Sequence, residues 1–302
     1  MKSRTRIGVA ALTALAMLAV ACGDDDKPSS DGTTATTGAT GDVAKNEAAI
    51  ALLPEAVASK GTLVVATDAT YPPSEFVAED GSTIVGFDID LVVAIGQALG
   101  LEVDVQNATF DTIIPGLESG KFDVGASSFT DTKEREAVVD FVTYFMAGQN
   151  FYVAAESGLE LNGLESLCGH SVALQKGTIQ EADATAQDEA CKAAGKGGVE
   201  VLSFDSQTDA NVAVSSGRAE VGFVDSQIAA YIAAESNGAF VVSGTPFATA
   251  PYGLALAKDS LAPAILEALK GLIADGTYAA ILDKWGVGDG ALTDPVINGA
   301  IS

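Results

Sequence analysis

The residue types best suited to chemistry lie in one stretch, Asp123-Val124-Gly125-Ala126-Ser127-Ser128-Phe129-Thr130-Asp131-Thr132-Lys133-Glu134-Arg135. It reads as an apolar strand, a hydroxyl-rich turn and a charged helical start. Asp131 with Glu134 three residues on has the form of a capping box, so unpaired backbone N–H groups and the positive end of the helix dipole gather at the turn. Such a turn attracts an anion. Arg135 falls in the first helical turn, where its planar fork can hold a carboxylate through two parallel bonds while Ser127, Ser128 and Thr130 supply further donors. An ordinary capped helix with a solvated arginine would look the same, and what separates the two readings is a second copy.

Ser119-Gly120-Lys121-Phe122-Asp123-Val124-Gly125 is echoed by Ser216-Gly217-Arg218-Ala219-Glu220-Val221-Gly222, and at constant spacing the place of Ser128 is taken by Asp225. One unit ends its strand in an anion-binding turn, the other in a carboxylate. Facing each other across a cleft, they would grip a small molecule that carries both a carboxylate and an ammonium. A free α-amino acid has that form.

The elements around these units must present them. Leu63-Val64-Val65-Ala66 reads as a buried strand ending at Thr67-Asp68-Ala69-Thr70-Tyr71-Pro72-Pro73, a loop that puts an acid and an aromatic beyond the strand's carboxyl end. Leu91, Val92, Ile95 and Leu99 recur at helical spacing after Asp88 or Asp90 as a cap, and Gly100 ends the run. Asp111 opens a short helix, Ile113 to Ser119, just after Phe110. Strands alternating with helices predict a parallel sheet with helices on its faces, and ligands on such sheets collect beyond the carboxyl ends of the strands. After Phe141 to Phe145 a second series begins, in which Gln175-Lys176-Gly177-Thr178 feeds another helix N-terminus and Val221 to Asp225 completes a second sheet. Leu261 to Trp285 reads as helical with a break at Gly276, and Tyr278, Leu282 and Trp285 form a packing face.

Of the 302 residues, the first 21 read as a signal peptide: Lys2, Arg4 and Arg6 precede an apolar run from Ile7 to Ala21. Leu18-Ala19-Val20-Ala21-Cys22 is similar to a bacterial lipobox, which implies lipidation of Cys22 and a membrane-anchored, extracytoplasmic protein. Residues 22–59 then comprise the lipidated cysteine, a polar tether and a short leading helix interrupted by Pro54. Removing the leader's three basic residues takes the formal charge from −25 to −28, a surface that repels phosphate backbones and excludes nucleic acid as a partner. Cys168 and Cys191 are an even pair in an exported chain, which favours a disulfide worth about 3 kcal/mol. With one histidine and no Cys-x-x-Cys pair, neither a metal nor a cofactor is expected. His170 reads as a surface residue.

In combination, Asp68-Ala-Thr-Tyr71-Pro-Pro, Gly86-Phe-Asp-Ile-Asp-Leu91, Phe110-Asp-Thr-Ile-Ile-Pro115, Ser127-Ser128-Phe-Thr-Asp-Thr-Lys-Glu-Arg135, Gly177-Thr178, Asp225, Gly276-Thr-Tyr278 and Trp285-Gly286 resemble the family 3 solute-binding proteins over residues 63 to about 288. The resemblance implies a type II periplasmic binding protein fold: two α/β lobes, each with a central, mainly parallel sheet and flanking helices, joined by two crossing strands and closing by a hinge. Lobe 1 would comprise 60–149 and 250–302, and lobe 2 would comprise 150–249. The implied function is capture of a polar L-amino acid of basic, glutamine or cystine type by a monomer that delivers it to an ABC permease. Arg135 would pair with the ligand carboxylate, helped by Thr130 and the Gly177-Thr178 backbone. Asp225 with Ser128, beside Ser127, would take the ammonium, Tyr71 and Phe110 would sandwich the side chain, and Asp68 would face its polar end. Ser74 and Ile179 depart from the family pattern, the first standing where many members have Phe and the second where several have a hydroxyl residue. The alternative is an enzyme on the same scaffold, resembling cyclohexadienyl or arogenate dehydratases, for which Glu75 and Glu181 are the candidate acids.

Overall fold

The computed structural model describes residues 43–301. The leader, Cys22 and most of the tether lie outside the described residues. Eleven strands occur among the described residues: β1 Thr62–Thr67, β2 Thr70–Tyr71, β3 Glu75–Val77, β4 Ile84–Val85, β5 Glu102–Asn107, β6 Val124–Gly125, β7 Val139–Ala154, β8 Ser171–Gln175, β9 Glu200–Phe204, β10 Val221–Asp225 and β11 Phe240–Ala257. Eight of them form one sheet in the order β5-β1-β6-β11-β7-β10-β8-β9, and β2, β3 and β4 form a small antiparallel sheet.

At one side of the large sheet β5, β1 and β6 run parallel, and at the other β10, β8 and β9 do. Two long antiparallel strands, β7 and β11, join these triads. The sequence reading began a second series after Phe145 and gave it a second sheet. One sheet holds both series, and β7 runs unbroken between them, because its residues are apolar or buried almost throughout and find partners on both sides. The division appears as bulges in the β7–β11 register between Ser243, Phe247 and Ala250, where the ladder changes from pairing with 149–154 to pairing with 139–147.

The two repeated units take the same local form. Each closes a helix (Phe110–Glu118 and Gln207–Ser215), passes through a left-handed glycine (Gly120, φ 72°; Gly217, φ 71°) and enters a strand that pairs parallel with a neighbour and antiparallel with a long crossing strand. Lys121 and Phe122 both donate N–H groups to Gly116 O, as Arg218 and Ala219 do to Ala213 O.

Local cues were right in kind but sometimes wrong in residue. The helix Phe87–Leu99 begins after Gly86 with no side-chain cap; Asp88 and Asp90 both bond elsewhere. The helix after Thr109 starts at Phe110, with Asp111 in its first turn. Pro54 and Gly276 split their regions into separate helices, Glu47–Ile50 and Glu55–Lys60, then Ala262–Ala274 and Thr277–Trp285. The last two pack with Phe87–Leu99 in one apolar cluster against β1, so the carboxyl-terminal helices belong to the half built on the first strands. Cys168 and Cys191 are disulfide-bonded and fasten the start of β8 to the helix Ile179–Ala193. His170 is on the surface beside Glu220. No helix among the described residues is long and apolar enough to cross a membrane.

Candidate functional site

Two pairs of parallel strands, β1 with β6 and β8 with β10, run in opposite directions and end at one cleft. β1 leads to Asp68 and Tyr71, β6 to Ser127 and Ser128, β8 to Gly177 and Thr178, and β10 ends in Asp225. Between them lies a narrow cavity lined by Tyr71, Phe110, Ser127, Ser128, Thr130, Arg135, Thr178 and Asp225, all expected from sequence, and also by Glu75, Gln175, Ile179 and Gln180. Arg135 and Asp225, from the two repeated units, therefore look into one space.

Arg135 is positioned by a helix of four residues, Lys133–Glu136, whose cap is Thr132: its hydroxyl accepts from Arg135 N–H at 3.2 Å. Asp131, the residue expected to cap, is instead buried and accepts from Gly299 N–H at 2.7 Å, because the carboxyl-terminal segment folds back over it. The guanidinium donates Nη1 to Thr130 O (2.8 Å) and Nη2 to Gly177 O (3.0 Å), the latter across the cleft, and sits over the rings of Phe110 and Phe129 at 5.6 and 5.4 Å. Those rings stack on each other, 4.3 Å between centroids. Burial pulls the Arg135 pKa down to about 10, so it keeps its charge at neutral pH. Two of its five donors are committed, leaving others for an anion.

Asp225 stands at the N-cap position of the helix Ser226–Glu235 but does not cap it. Its carboxylate accepts from Tyr71 Oη (2.7 Å) and Gln180 Nε2 (2.8 Å), and its N–H donates to Tyr71 Oη (3.1 Å). Burial raises its pKa, and hydrogen bonds from Tyr252, Tyr71 and Gln180 together with the Arg135 charge oppose the rise. Tyr71 thus meets Asp225 through its hydroxyl, while Phe110 presents a ring face.

Asp68 is not among the residues lining the cavity. Its carboxylate is saturated by Thr70 Oγ1 (2.6 Å), Phe110 N–H (2.9 Å) and Gln175 Nε2 (2.9 Å), the last from across the cleft. Burial raises its pKa as well. Ser127 Oγ accepts from Asp68 N–H (3.0 Å) and donates to Glu75 Oε1 (3.1 Å), and Ser128 bonds to Asp88. Thr178 caps the helix Ile179–Ala193 and donates to Gln175 O at 2.6 Å. Lys176 pairs with Asp111 at 2.7 Å across the same cleft. Of the charged groups lining the cavity, Arg135 is the cation, and its charge acts on Asp225.

Residues 63–288 match the bacterial extracellular solute-binding proteins, family 3. The chain belongs to that family. It is 36% identical over 250 residues to the arginine-binding protein ArgT of Corynebacterium glutamicum, covering 82% of each chain. Among solved structures it is similar to a mutant of ArgBP from T. maritima (TM-score 0.71, 36% identity, 79% of this chain and 99% of the other). It is also similar to an ancestral arginine-binding protein bound to arginine (TM-score 0.68, 39% identity, 74% and 98%). These relatives are solute-binding proteins with the two-lobed fold.

Within this family 3 protein, Ile179 lines the cavity, whereas Ser74 is buried outside it with a hydroxyl that has no partner among the described residues. Glu75, Gln175 and Gln180 were not picked from sequence as ligand contacts. The signal for the two glutamines was their place beside Gly177-Thr178, at the end of a strand and in the first turn of a helix; for Glu75 it was an acid between Pro72-Pro73-Ser74 and the apolar Phe76-Val77-Ala78.

Proposed function

We propose that this chain is the extracytoplasmic substrate-binding component of an ABC importer, capturing a polar L-amino acid by hinge closure and delivering it to a membrane permease. One observation carries the reading: Arg135 and Asp225, opposite charges from the two halves of the sheet, line a single cavity. A zwitterion presents its carboxylate to the first and its ammonium to the second, with Thr130, the Gly177-Thr178 backbone, Ser127 and Ser128 completing the clamp. The arginine-binding relatives favour a cationic side chain, arginine first, with glutamine and cystine behind it. Asp68 acts on that side chain through Gln175, the cavity-lining group it holds.

The lobes that close are 60–149 with 250–302, and 150–249. This division is supported by the change of β7–β11 pairing near Phe247 and by the packing of the last two helices on Phe87–Leu99. The protein works as a monomer tethered through a lipidated Cys22. Calorimetric titration with the twenty amino acids, ornithine and cystine tests the reading: L-arginine binds with a Kd of about 1 μM or tighter, close to −8 kcal/mol. Silence from every one of them refutes it.

An enzymatic reading has one observation in its favour, since Glu75 lines the cavity and burial raises its pKa well above the carboxylate range. Glu181 is engaged by Gly177 N–H and Ser203 and does not line the cavity. Glu75 is in contact with Asp88, which gives its proton a partner inside the protein. We therefore expect no turnover of prephenate or arogenate.

A further inference from the structure

We propose that Glu75 and Asp88 hold one proton between them, Glu75 as the neutral donor and Asp88 as the charged acceptor, and that this pair positions the Ser127-Ser128 wall of the ligand cavity. Both side chains are buried, Glu75 1% and Asp88 0% exposed. The backbone forces them together. Phe87 N–H donates to Pro73 O and Asp88 N–H to Ser74 O, and Gly86 has no side chain because a Cβ there would overlap the Ser74 carbonyl. The start of the helix Phe87–Leu99 is thereby pressed onto the strand that carries Glu75, and the two carboxyl groups make hydrogen-bonding contact.

The surroundings decide where the proton resides. Asp88 accepts from Ser128 N–H (2.7 Å) and from Tyr144 Oη (2.7 Å to each oxygen), and it lies in the first turn of a 13-residue helix, where the dipole favours an anion. Among the described residues Glu75 accepts only from Ser127 Oγ, and its Oε2 is buried with no N–H or O–H donor. An ionised Glu75 would leave that oxygen unsolvated beside a second carboxylate. A proton on Glu75 removes both costs and gives it a hydrogen bond to donate. The titratable groups acting on it are Asp88 from the helix, Asp68 from the loop after β1, Tyr71 from β2 and Tyr144 from β7, none of them a cation; Arg135 lines the same cavity and directs its guanidinium to Thr130 O and Gly177 O. In agreement, burial first and the Asp88 charge second push Glu75 well above the usual carboxylate range.

The pair reaches the cavity through both serines. Ser127 Oγ links Glu75 to the Asp68 backbone, and Asp88 holds Ser128 in a left-handed conformation (φ 48°) that a serine seldom adopts unaided. Ionising Glu75 would set two carboxylates against each other beneath this turn. Glu75 is thus a positioning residue. Its effect on affinity rests on the amino-acid-binding reading above; its protonation does not.

The test uses the whole protein in two measurements. Infrared spectra at pH 7 of protein carrying ¹³C-glutamate and of unlabelled protein should differ in a protonated-carboxyl C=O band, because Glu75 is the buried glutamate among the described residues. Absence of an isotope-shifted band overturns the proposal, whether or not any amino acid binds. In arginine titrations Glu75→Gln, which keeps a donor and an acceptor without charge, should bind at least tenfold more tightly than Glu75→Ala. A Gln variant no better than the Ala variant would mean that Glu75 acts as a charge, and the pair as described would be wrong.

Discussion

Replacing Arg135 with alanine should cost the protein its hold on any amino acid carboxylate. The substitution removes the bond to Gly177 O across the cleft and the cation lying over Phe110 and Phe129. It also removes the positive charge that acts on the buried Asp225. Leaving one member of a desolvated charge pair alone costs about 2–5 kcal/mol, equivalent to a Kd for L-arginine weaker by roughly 30- to 4,000-fold. Arg135→Lys keeps a charge but cannot reproduce the fork, so it should fall between wild type and alanine. Calorimetry at pH 7 measures both. L-Argininamide, which has the ammonium and side chain but no carboxylate, isolates the contact: wild type should bind it weakly, and Arg135→Ala should weaken it little further. If arginine binds the alanine variant within threefold of wild type, or if the amide loses as much as the acid does, Arg135 is not the carboxylate clamp.

Gly177 has φ 78°, and a Cβ there would lie 3.0 Å from Asp111 Cβ. Gly177→Ala should therefore lower stability by about 1–2 kcal/mol in urea unfolding, and weaken arginine binding by displacing the carbonyl that receives Arg135; an unchanged midpoint and Kd would contradict the assigned role. Burial raises the Asp131 pKa from 3.8 to about 7. Between those values the native state binds more protons than the unfolded chain, so this carboxyl's contribution to stability is full at low pH and is lost as pH rises towards 7. Asp131→Asn should flatten that part of the slope in urea midpoints taken from pH 4.5 to 8. A variant as steep as wild type would show that Asp131 titrates normally.

Much of the layout could be read along the chain because it depends on short-range pattern. Apolar runs bounded by glycine and hydroxyl residues mark the ends of parallel strands, and ligands collect there for topological reasons. The echo of Ser119–Gly125 in Ser216–Gly222 linked Arg135 to Asp225 before either had a position, and the folded chain brings both to one cavity. Boundaries and caps were less legible. Asp131 has the spacing of a cap, yet its carboxylate goes to Gly299, 168 residues away. Asp88 looked like a helix cap and instead binds Ser128 and Tyr144.

The sequence by itself thus determined the chemistry on offer: which side chains are charged, which turns expose them, and that two similar units carry opposite signs. Tertiary structure alone decided how those groups are spent. Tyr71 gives its hydroxyl to Asp225, 154 residues on, Asp68 is saturated by Gln175, 107 residues on, and Glu75 is pressed against Asp88. The physical reason is that a buried polar atom must find a partner wherever the fold brings one. Local periodicity carries no record of contacts made at such separations.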